Sequence, residues 1–167
     1  MTDARTKTRV DNSEVVTPRL SEQQKIAWKP VGLWYSVDRG WEEWCESQSY
    51  GTGKYSFAVE LGDENILFIQ GATELDSFNS RYATSRYVDL PDRYNYIDWP
   101  VIAQEYDGIE IAPYIWERRL DGPAGWYYSW DCASGCIWRP KGVRVILQRK
   151  QENPDKVLDS GTDLGDK

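Results

Sequence analysis

The sequence predicts an α+β domain: a split or curled, mainly antiparallel sheet of about seven short strands, with about three short helices. Two observations carry this. Short runs of β-branched and aromatic residues recur between Gly, Pro, Asp and Asn turns, and several segments carry apolar residues at helical spacing. The 167 residues are enough for one core, and nothing in them marks a second domain.

Residues 1–25 are polar and lack a sustained apolar period, and residues 149–167 read the same way. Both are expected to be disordered tails around a single domain of residues 26–148. Within it, Val31 to Val37 has strand content and Asp38-Arg39-Gly40 closes it with turn residues. Trp41, Trp44, Cys45 and Gln48 then recur at helical spacing, and Gly51-Thr52-Gly53 stops that helix. Tyr55 to Leu61 and Ile66 to Gln70 read as strands joined by a hairpin turn at Gly62-Asp63-Glu64-Asn65.

Thr73 reads as an N-cap for a helix whose apolar face is Leu75, Phe78 and Tyr82. Another helix runs from Asp98 to about Tyr106, with Pro100 tolerated in its first turn and Ile97 able to reach Ile102. The remaining segments read as strands: Ile109 to Trp116, then, past the Gly/Pro-rich turn at Asp121 to Gly125, Trp126 to Trp130, Gly135 to Arg139 and Val143 to Gln148.

Composition narrows the chemistry. A net charge of −7 opposes nucleic acid, and the apolar runs are too short for a membrane span, so a cytoplasmic protein is expected. The absence of histidine removes the commonest general base and most transition-metal sites, and the three cysteines lack zinc spacing, so no metal is expected. Nine Trp and eleven Tyr against three Phe favour rings with a polar handle, as a wet cleft or an interface would use.

Three constellations follow. In the first, Trp34, Tyr35 and Ser36 end a strand beside a helix carrying Trp41 and Trp44, a set able to stack a nicotinamide or adenine while Ser36 bonds an amide or ribose. Core packing is the competing role of each indole. In the second, Ile109 and Ile111 face a core and turn Glu110 to the opposite face, where a carboxylate can stabilise charge at an anomeric carbon; a solvated strand Glu is the alternative. In the third, Asp131 adjoins the small residues Ala133, Ser134 and Gly135 between bulky aromatics, which allows close approach of a ligand or another backbone. Arg81, Arg86, Arg93, Arg118, Arg119 and Arg139 are able to hold a pyrophosphate, or are surface charges. No P-loop or Rossmann glycine pattern is present.

Gly32-Leu33-Trp34-Tyr35-Ser36, then Tyr106-Asp107-Gly108-Ile109, then Cys136-Ile137-Trp138-Arg139-Pro140, resemble in order the compact ADP-ribosyltransferase-like domains of phage and bacterial toxins. The segment from Trp126 to Trp138 also resembles phage and actinobacterial proteins. The transferase resemblance spans about residues 30–145 and implies NAD as substrate, a nicotinamide stacked near Tyr35 and Trp41, and ADP-ribose transfer to an unknown acceptor macromolecule. It implies Glu110 or Asp131 as the acid and Trp34, Tyr35, Ser36, Trp41, Trp44 and Ser134 around the dinucleotide. Trp34 or Tyr35 stands where many such enzymes place His or Arg, and Glu110 and Asp131 compete for the acidic position. Two other functions fit the same residues. One is a non-catalytic binder of a nucleotide-type small molecule, such as a phage protein sequestering a host defence signal; the other is an aromatic-rich protein interaction module.

Overall fold

The computed structural model describes residues 5–85 and 95–151. Arg86, Arg93 and the expected C-terminal tail from residue 152 onward lie outside the described residues. The chain is α+β, with a seven-stranded, mixed but mainly antiparallel sheet and a small two-stranded one.

In chain order the strands are β1 (Lys7–Asp11), β2 (Leu33–Val37), β3 (Tyr55–Glu60), β4 (Ile66–Ile69), β5 (Ala83–Ser85), β6 (Asn95–Ile97), β7 (Gly108–Ile111), β8 (Ser134–Ile137) and β9 (Arg144–Lys150). The helices are α1 (Gly40–Gln48), α2 (Ala72–Tyr82) and α3 (Trp99–Glu105), with 3₁₀ helices at Trp116–Arg118 and Gly122–Ser129. The large sheet runs β4-β7-β8-β2-β1-β3-β9, and β5 pairs with β6. Only the β4–β7 pair is parallel among the described strands.

Several expectations are corrected. Residues 5–25 are not a loose tail: β1 lies between β2 and β3, and Ser21 donates its N–H to the Trp138 carbonyl. The stretch Lys7-Thr8-Arg9-Val10-Asp11 alternates charged with β-branched side chains, a strand period hidden by its overall polarity. At the other end, Arg149 and Lys150 belong to β9.

The β3–β4 hairpin does not form. β4 joins β7 in parallel at the far side of the sheet, a connection that needs the long crossover through α2 and α3. Trp126 to Trp130, read as a strand from its aromatics, lies mostly in the 3₁₀ helix that Gly122-Pro123 opens. Its geometry follows packing: Trp126 is fully buried and donates its indole N–H to the Asn79 side-chain oxygen at 2.9 Å. Gly71, not Thr73, is the N-cap of α2, and the Glu74 carboxylate accepts the Gln70 N–H just before it.

Two cores sit on opposite faces of the sheet. Leu75, Phe78 and Tyr82 of α2 and Trp99 and Ile102 of α3 cover Ile109 and Ile111, together with Trp126, Trp130 and Trp138. On the reverse face Leu33, Tyr35, Val37, Val59, Ile66 and Ile137 form a second cluster, against which Val16 packs. Of the nine tryptophans, Trp99, Trp126, Trp130 and Trp138 are sealed in the first core, so packing is the role of nearly half of them.

Candidate functional site

Strand pairing dictates the site. Thr8 pairs with Ser36 and Ser36 with Ser134, so three hydroxyls form a row across β1, β2 and β8 on the same sheet face as the helices. The next residue of β2 toward its start on that face is Trp34. α1 follows β2 after the turn at Asp38, which has φ 54°, and brings Trp41 over the row. Gly40 allows this approach, since a Cβ there would stand 3.3 Å from the Cys132 Cβ.

The result is a cavity of about 290 Å³ bounded by Thr8, Val10, Lys29, Trp34, Ser36, Trp41, Asp131, Cys132 and Ser134, with Arg9 and Tyr35 also on its lining. Strand alternation turns the Tyr35 side chain to the reverse face, and the Arg9 guanidinium donates to the Trp34 carbonyl and to Asp11.

The floor is a hydrogen-bonded chain. Thr8 Oγ1 and Ser36 Oγ are 2.9 Å apart, Ser36 Oγ donates to the Thr8 carbonyl at 3.3 Å, and Thr8 Oγ1 donates to the Asp38 carbonyl at 3.2 Å. Ser134 Oγ donates to the Cys132 carbonyl at 3.0 Å. The walls are indoles. Trp34 meets Trp130 edge-on at 4.9 Å, while Trp41 stacks on Trp44 at 5.0 Å and Trp44 on Tyr50 at 5.5 Å. Trp44 is therefore one ring removed from the cavity: it backs Trp41 instead of bounding the space itself.

Charge at the rim is balanced. Lys29 Nζ lies 4.0 Å from Asp131 Oδ2 and 5.2 Å from the Trp34 ring centre. Asp131 is the carboxylate that bounds the cavity. Burial pushes the Cys132 thiol up to about 12, and the neighbouring Asp131 carboxylate pushes the same way, so this sulfur stays protonated and is no nucleophile.

Glu110 takes no part in this cavity. It faces away from Ile109 and Ile111 as the alternation requires, but the reverse face is closed as well, and its side chain is 0% exposed. The Tyr35 hydroxyl donates to Glu110 Oε2 at 2.8 Å, Lys7 Nζ is 3.2 Å from the same oxygen, and Arg5 Nη2 is 3.6 Å from Oε1. Gly135, paired with both Tyr35 and Glu110, makes the contact possible: a Cβ there would fall 2.4 Å from the phenol. Tyr35, expected to stack a nicotinamide, is thus committed to a sealed ion cluster, and the Glu110 carboxylate is separated from Ser36 by the sheet.

The four described arginines among those expected to hold pyrophosphate are engaged elsewhere. Arg81 pairs with Glu105, Arg118 with Asp76 and Arg139 with Asp107, while Arg119 lies over the rings of Trp116 and Tyr128. Thr8, Val10, Lys29 and Cys132 are cavity residues that sequence reasoning missed. For Thr8 and Val10 the available signal was the two-residue alternation of β1.

No helix among the described residues is long and apolar enough to cross a membrane. Comparisons with known proteins return no match, whether to protein-family models, to curated proteins or to solved structures.

Proposed function

We propose that the cavity binds a small planar ligand with a polar edge, of the nucleobase or nicotinamide type. The observation that carries this reading is the pairing of two indoles, Trp34 and Trp41, with a row of three hydroxyls in one concave space. Its volume of about 290 Å³ is at the small end of ligand cavities, which suits one ring system with a modest substituent. A ring seated on Trp41 would extend the stack already made by Trp41, Trp44 and Tyr50.

Calorimetric titration with adenosine, cytidine and nicotinamide tests the reading. Trp41→Ala is expected to weaken binding by about 10- to 100-fold, the worth of one base-aromatic stack, while leaving the far-ultraviolet circular dichroism unchanged. Failure of all three compounds to bind at millimolar concentration would overturn it.

A second reading, ADP-ribosyl transfer from NAD, is favoured by one feature: Asp131 borders the same space as Ser36. A carboxylate there would stabilise positive charge at the anomeric carbon as nicotinamide leaves and ADP-ribose passes to an acceptor. The cavity fits the nicotinamide end, and beyond it the pyrophosphate would meet Lys29 as the cation at the rim. Release of labelled nicotinamide from NAD in cell extract, lost in Asp131→Asn and kept in a folded Glu110→Gln, is the expected result. No release by the wild-type protein removes this reading.

A further inference from the structure

We infer that the cavity floor selects ligands by their hydrogen-bond donors, accepting an exocyclic amine or a carboxamide N–H and rejecting isosteres that carry only acceptors on that edge. The inference rests on the reading of the cavity as a site for a planar ligand and adds the chemical polarity of that ligand.

It follows from where the hydroxyl protons go. A hydroxyl carries one proton and two lone pairs. Ser134 Oγ is 3.0 Å from the Cys132 carbonyl and spends its proton there. Thr8 and Ser36 have two protons between them and three acceptors within reach: each other's oxygen, the Thr8 carbonyl and the Asp38 carbonyl. The chain can run from Ser36 through Thr8 to Asp38, or from Thr8 through Ser36 to the Thr8 carbonyl, or each hydroxyl can bond a carbonyl directly. In all three arrangements both protons are held by protein acceptors, which leaves these two hydroxyls lone pairs to offer a ligand.

Ser36 sits between two other hydroxyl residues, paired with Thr8 of β1 on one side and Ser134 of β8 on the other. Asp131 adds two more acceptor oxygens at the edge of the same space. The donors lie on the walls: the Trp41 indole N–H, and Lys29 beside the Trp34 face and the Asp131 carboxylate. Ser36 and Ser134 are each 7% exposed, so an acceptor pressed against them loses its water and gains no partner.

Two ligand pairs test this with ring and size held nearly constant: adenosine against 6-methoxypurine riboside, and nicotinamide against methyl nicotinate. The N–H-bearing member of each pair is expected to bind about 10- to 100-fold more tightly, the usual consequence of one buried unpaired polar group. Ser36→Ala and Ser134→Ala, each checked for folding by circular dichroism, are expected to shrink that ratio several-fold. The indole contribution, read by Trp41→Ala, should stay as it was.

Equal affinity within both pairs would overturn the inference and leave the planar-ligand reading standing. A preference for the N–H-bearing members that is unchanged in both serine variants would overturn the assignment to the hydroxyl row. If no member of either pair binds, the planar-ligand reading itself fails and the inference falls with it.

Discussion

Residues one apart on β2 serve opposite chemistries. Ser36, on the helix side of the sheet, lies in a cavity with hydroxyl neighbours and indole walls; Tyr35, on the reverse side, is locked over Gly135 against a buried carboxylate. One face is open and neutral at its floor, while the other is closed and charged. Strand alternation alone makes the difference, because it hands each consecutive residue to a different face. A motif read as a single constellation, Trp34-Tyr35-Ser36, therefore divides between two environments, with Trp34 and Ser36 on the cavity side and the Tyr35 side chain on the other.

The contrast can be broken most strongly from the closed side. Glu110→Gln leaves Lys7 and Arg5 beside a neutral group, and removal of one member of a buried ion pair costs about 3–5 kcal/mol. Urea unfolding should show that loss, and ligand titration of the folded fraction should be unchanged. Gly135→Ala comes next. The added methyl displaces the Tyr35 ring from Glu110, with an expected loss of about 1–3 kcal/mol on the same measurement.

Asp107 provides a pH test on a second closed carboxylate. It is 1% exposed, and burial by itself would raise its pKa. The Lys141 ammonium, the Asn65 N–H and the Arg139 guanidinium outweigh that and hold it below its ordinary value. A carboxyl depressed in the folded state adds stability that is complete above its unfolded value of about 3.9 and is lost as pH falls through the folded one. The urea midpoint of the wild-type protein is therefore expected to drop more steeply below about pH 4 than that of Asp107→Asn. Equal slopes would show that Asp107 gains nothing from its cations.

The smallest effect belongs to the open face. Ser36→Ala exchanges one hydroxyl of a self-satisfied chain for a methyl and should cost about 0.5–1.5 kcal/mol in unfolding while altering ligand choice. A loss as large as that of Glu110→Gln would erase the distinction between the faces.

Much of the fold is legible in the residues themselves. The indole and thiol spacing of α1, the apolar face of α2 and the Asp98-Trp99-Pro100 start of α3 are local signals, and the structure places helices there. The alternation Ile109, Glu110, Ile111 likewise gives the facing of Glu110. What lies over that face is a nonlocal fact, supplied by Lys7 more than a hundred residues earlier, and no pattern near Glu110 announces it. The same applies to the cavity. Trp34, Ser36, Trp41, Asp131 and Ser134 stand out as aromatic, hydroxyl and acidic residues among small ones, whereas Thr8 is invisible without the pairing of β1. The partition of β3 and β4 to distant positions is also nonlocal, since it is decided by where β7 lies.

The placement of β1 constrains how the domain assembles. Both of its neighbours follow it in the chain, with Thr8 paired to Ser36 on one edge and to Ala58 on the other. During synthesis this segment precedes both of its partners, so its native pairings are open to it only once β2 and β3 have been made. Arg5 must wait longer still for the Ala112 carbonyl, 107 residues away. In the finished sheet this strand is the link between β4-β7-β8-β2 on one side and β3-β9 on the other, and pairings this distant in the chain are the slow kind to close.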